Sequence, residues 1–93
     1  MNQFRSKFSE RLLAYLELRC RLGFKDGSVE FFLKEFDTYF FERANAGSLS
    51  QELAVSFATQ NPTWTINYRA QRYRAVRLFS SYLATFDPNT PLL

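Results

Sequence analysis

Thr65 to Phe86 reads T-I-N-Y-R-A-Q-R-Y-R-A-V-R-L-F-S-S-Y-L-A-T-F. The stretch contains neither Gly nor Pro, opens on a residue able to cap a helix, and stops before Asp87-Pro88. It therefore predicts one long helix with start and stop signals at both ends. Wound at about 3.6 residues per turn, it places Tyr68, Ala75, Val76, Phe79, Tyr82, Leu83 and Phe86 on one broad apolar face. Four arginines, at positions 69, 72, 74 and 77, occupy its first half. Arg72 falls near the apolar arc, and the other three spread over the far side. No Asp or Glu occurs between Glu52 and Asp87. The helix thus offers a core-facing stripe in its second half and an uncompensated cationic surface in its first.

The rest of the chain reads as three more helices and no strand. The expected spans are about 4–22, 28–45, 50–60 and 65–86. In the first, Phe4, Phe8, Leu12, Tyr15, Leu16, Leu18 and Leu22 recur at helical spacing, and Gly23 follows as a left-handed C-terminal glycine would. Arg19 projects toward that apolar face. It either snorkels at the border or forms a buried ion pair, with Asp37 as a candidate partner. Asp26 or Ser28 can cap the second helix, whose inner face is Val29, Phe32, Leu33, Phe36, Tyr39 and Phe40. Phe31 and Phe41 fall outside that arc, which calls for a covering element or a partner. Ser48 or Ser50 starts the third helix, with Leu53, Ala54 and Phe57 as its apolar positions. Asn61-Pro62-Thr63 ends it, and Trp64 serves either as a loop anchor or as a base-stacking ring. Short connections predict a compact bundle, with Val29, Phe36, Phe40, Leu53, Phe57, Val76, Phe79 and Leu83 in its core. The tail from Asp87 has linker character and predicts a chain that continues.

Composition narrows the function. Ninety-three residues make one domain, and 46% hydrophobic content with eleven Phe supplies ample core material. There is no apolar run of about 18 residues and no secretory h-region. One cysteine, Cys20, permits no internal disulfide and fits a reducing, cytoplasmic compartment. Residues 1–52 hold eight basic and eight acidic residues; residues 53–86 hold four basic and none acidic; Asp87 brings the net charge to +3. The whole excess sits on the last helix, as on a surface that meets a polyanion or as on a solvated cationic face.

Catalytic groups are missing. The chain has no His, no Gly-rich loop and no metal-ligand constellation, so neither a cofactor nor a metal is expected, and no serine has a base beside it. Binding remains. Helical modules that read DNA place the first residues of a helix in the major groove. Here those are Ile66, Asn67, Tyr68, Arg69, Gln71, Arg72 and Arg74, a set whose Arg can grip guanine and whose Asn and Gln can pair with adenine. Lys25, Ser28 and Lys34 add a second group at the start of the second helix.

Four segments in order carry a resemblance. They are L-E-L-R-C-R-L-G-F-K (Leu16 to Lys25), F-D-T-Y (Phe36 to Tyr39), L-S-Q-E-L-A (Leu49 to Ala54) and A-Q-R-Y-R-A-V-R-L-F-S-S-Y-L-A-T-F-D-P (Ala70 to Pro88). Together they resemble the N-terminal core-binding domain of tyrosine site-specific recombinases, the phage-integrase family. The resemblance implies an all-α, SAM-like four-helix domain spanning 1–86, with residues 87–93 beginning a linker. It implies half of a C-shaped clamp on double-stranded DNA, assembled with other recombinase protomers in a bacterial cytoplasm, for DNA integration or recombination. The second and fourth helices would approach the major groove, giving Lys25, Ser28, Tyr68, Gln71, Arg72 and Arg74 as contacts and Arg77 as a mainly structural residue. The catalytic domain would lie C-terminal to this chain, so this chain is expected to be no enzyme and its tyrosines no nucleophiles. The rival reading is a helical protein-interaction module that ignores DNA, with Phe31 and Phe41 as its anchors. Neither reading involves a membrane or a small-molecule substrate.

Overall fold

The computed structural model describes residues 4–24, 27–44, 49–88 and 90. They form four helices: α1 (Ser9–Arg21), α2 (Gly27–Ala44), α3 (Gln51–Ala58) and α4 (Ile66–Ala84). No strand occurs among them, so the fold class is all-α. The chain divides into two units, residues 1–48 with α1 and α2, and residues 49–93 with α3 and α4.

In the first unit α1 begins at Ser9, five residues later than the apolar spacing predicts. Residues 4–8 are claimed by side chains instead. The Asp37 carboxylate, 2% exposed, accepts from the backbone N–H groups of Arg5 (2.8 Å) and Ser6 (3.0 Å). The Ser6 hydroxyl accepts from Phe8 N at 3.2 Å. These bonds tie the segment to α2, residues 6–8 form a turn closed by Ser9 N donating to the Ser6 carbonyl, and Phe4 is still buried. They also use Asp37, so the Arg19–Asp37 ion pair does not form. Arg19 lies at the border, donating to the Tyr15 hydroxyl at 3.3 Å and covering the Phe24 ring at 4.6 Å.

Helix α1 ends as expected. Gly23 has φ +89°, and Gly23 N and Phe24 N donate to the carbonyls of Cys20 and Arg19. This is the Schellman pattern, which requires a left-handed residue after the cap. Leu18 and Leu22 depart from the predicted face and are exposed. Helix α2 buries its whole predicted face, Val29, Phe32, Leu33, Phe36, Tyr39 and Phe40. Phe8 meets Phe40 with ring centroids 4.8 Å apart. Phe31 and Phe41 are exposed, as their helical angle demands. Ser28 lies inside α2; Asp26, the position that would cap it, falls outside the described residues.

In the second unit Ser50 caps α3, its hydroxyl accepting from Leu53 N at 3.1 Å. The Ser48 alternative lies outside the described residues. Ala54, Phe57 and Ala58 are buried, whereas Leu53 is only half-buried. The connection to α4 is an Asx turn: the Asn61 side-chain oxygen accepts from Thr63 N and Thr63 Oγ1. Thr65 then caps α4 by accepting from Tyr68 N at 3.1 Å. Along α4, Ala75, Val76, Phe79 and Leu83 are buried, Tyr68 and Tyr82 are half-buried, and Phe86, past the helix end, is exposed.

Candidate nucleic-acid interface

The sequence offers nine polar or charged residues for DNA binding, and the structure separates them. Three of them stand together on α4. At about 100° per residue, Asn67, Gln71 and Arg74 fall within a narrow arc opposite the buried face, and all three are exposed. Arg77, one turn beyond Arg74, is exposed on the same side. Neither Arg74 nor Arg77 has a hydrogen-bond or ion-pair partner among the described residues. From Asn67 to Arg77 the row covers about 15 Å at 1.5 Å per residue, comparable with the roughly 12 Å width of a B-DNA major groove. Two donors of the bidentate kind, an amide pair and the absence of any carboxylate from residue 53 to 86 give this face the chemistry that base edges and phosphates accept.

Arg72 belongs elsewhere. It is 1% exposed, and its guanidinium lies between two rings, 3.9 Å from the Phe57 centroid and 4.2 Å from that of Trp64. Its Nη2 also donates to Gln60 Oε1 at 3.2 Å. The expectation that its stem packs while its charge reaches DNA is corrected: stem and charge are both enclosed. The Trp64 ring is half-buried and packs in the loop against Arg72 and against Tyr68, whose ring centroid is 5.1 Å away.

Arg69 and Tyr68 are half-buried. Arg69 Nη2 donates to the Pro62 carbonyl at 2.6 Å, tying the Asx turn to the helix. Arg77, a mainly structural residue by the resemblance, is exposed on the outer side of α4.

In the first unit Lys34 pairs with Glu30 at 3.9 Å, one helical turn away. With Glu17, Glu30 and Cys20 it lines a hollow of about 320 Å³ that holds two carboxylates and one ammonium. Ser28 is half-buried, and Lys25 falls outside the described residues. No group of three His, Cys, Asp or Glu able to hold a metal occurs among the described residues, and no helix is long and apolar enough to cross a membrane.

No family profile matches the chain, and no solved structure matches it. Among curated proteins, the "Putative integrase/recombinase y4rB" of Sinorhizobium fredii (strain NBRC 101917 / NGR234) is 32% identical over 87 residues, which make up 94% of this chain and 27% of that protein. The chain spans about a quarter of the length of this relative. Nearly all of the chain is thus similar to one segment of an integrase/recombinase.

Proposed function

We propose that this chain is the DNA-binding, core-binding segment of a tyrosine-type recombinase. The outer arc of α4 enters the major groove of duplex DNA, and Lys25 and Ser28 are further contacts that the resemblance implies. The observation that carries this reading is the row Asn67, Gln71, Arg74 and Arg77, exposed on a segment that holds no carboxylate. The similarity to an integrase/recombinase of Sinorhizobium fredii supports it, and so does the order of the four family-like segments. In this reading the helices assemble into a four-helix SAM-like domain over 1–86, strand cleavage is carried out by residues beyond Leu93, and other protomers share the site.

The test is a titration of labelled duplex at two salt concentrations. Neutralising about four to six phosphates gives a slope of log K against log salt near −4 to −5. Absence of binding at low salt counts against the reading. The rival, a protein-interaction module, draws on Phe31, which is 52% exposed on α2. It predicts a stoichiometric protein complex and indifference to DNA.

A further inference from the structure

Helix α4 carries one large apolar side chain that its packing leaves unused. Ile66, the first residue of the helix, is 83% exposed, more than any other large hydrophobic residue among those described. The Thr65 cap fixes where the helix begins, so this exposure is a matter of register. Ala70, one turn on, is also exposed, and the two form a short apolar strip beside Asn67, Gln71 and Arg74.

An exposed isoleucine is unremarkable by itself, since single apolar residues are common on surfaces. Its company is informative. The strip lies among amides and unpaired guanidinium groups, and no carboxylate follows until Asp87. A face that only gripped phosphates would gain nothing from an apolar strip. The major groove, by contrast, presents one apolar group, the C5-methyl of thymine, and side chains that read it are apolar.

We propose that Ile66, with Ala70 beside it, packs on thymine C5-methyl groups in the major groove. Asn67 and Gln71 bond the adenines of the same or neighbouring pairs, so the interface reads A·T pairs as well as gripping the backbone. This rests on the DNA-binding reading above and adds a base preference to it.

The experiment uses the 93-residue chain. Duplexes enriched from a randomised library are resynthesised with deoxyuridine in place of every thymidine, which removes only the methyl groups. Both forms are titrated by fluorescence anisotropy at two salt concentrations, with wild type and Ile66→Ser. Wild type is expected to bind the thymidine form about fourfold more tightly, the equivalent of burying about one methyl group. Ile66→Ser is expected to bind both forms equally, with an unchanged melting curve. Deoxyuridine can also alter duplex shape, but a shape effect would persist in the variant. Salt-dependent binding by a wild type indifferent to the methyl groups overturns the role of Ile66 and leaves DNA binding standing. A methyl preference that survives in Ile66→Ser overturns it as well. Absence of any salt-dependent binding overturns both.

Discussion

Arg72 Nε and Nη2 each donate to the Phe57 carbonyl at 3.3 Å, while the guanidinium carbon lies 3.9 Å from the centre of the Phe57 ring. One residue of α3 thus supplies both a carbonyl and a π face to one residue of α4. A planar guanidinium turns two donors to the carbonyl and its face to the ring, a fork that a compact ammonium lacks. Arg72→Ala is expected to cost about 2–4 kcal/mol, from lost packing and a buried carbonyl left without its donor. Arg72→Lys should fall between the two. At about 4–8 °C per kcal/mol for a domain of this size, thermal melts resolve the series. An Arg72→Ala variant that melts within two degrees of wild type would falsify the structural role.

Arg74 and Arg77 should behave alike and unlike Arg72. Both are exposed and lack partners among the described residues, so alanine at either site is expected to shift stability by no more than about 0.5 kcal/mol. If both meet phosphates, each substitution lowers the salt slope of DNA binding by about 0.9. Paired melts and titrations check this. Early melting of Arg77→Ala with an unchanged slope would favour the structural role that the resemblance implies.

The Asp37 carboxylate accepts from two backbone N–H groups 31 and 32 residues away. Asp37→Ala leaves both donors stranded and is expected to cost about 2–4 kcal/mol, at the charged end of the hydrogen-bond range. Asp37→Asn keeps one acceptor oxygen and should cost less. Amide exchange at Arg5 and Ser6 should accelerate in both variants ahead of exchange in α2. Unchanged protection at those two amides would show that something else holds the segment.

Two glycines should respond with different signs. A Cβ at Gly23 or Gly27 meets nothing within 4 Å, so backbone conformation decides the outcome. Gly23, at φ +89°, is expected to lose about 1–2 kcal/mol as alanine, because L-residues disfavour that region. Gly27 opens α2 without positive φ, and Gly27→Ala should be neutral or gain up to about 1 kcal/mol by restricting the unfolded chain. Chemical denaturation midpoints measure both. Equal losses at the two sites would contradict the φ argument.

What could be read in the sequence alone was local. The four helices, the Thr65 cap, a serine cap on α3 at position 48 or 50, the Gly23 terminator and the buried face of α2 follow from periodicity and from side chains acting on backbone a few residues away. The outward placement of Asn67, Gln71, Arg74 and Arg77 follows from the same period. What only the tertiary structure decided was where polar groups found distant partners. Arg72 sits near the edge of the apolar arc, and an angle cannot say whether such a side chain ends in water or on a carbonyl 15 residues back. Asp37 lies on the second helix, and nothing near it in sequence announces that it will bind Arg5 and Ser6 and so delay α1 to Ser9. Propensity and capping operate within one or two turns, whereas a buried charge takes its position from whichever backbone groups the fold delivers to it.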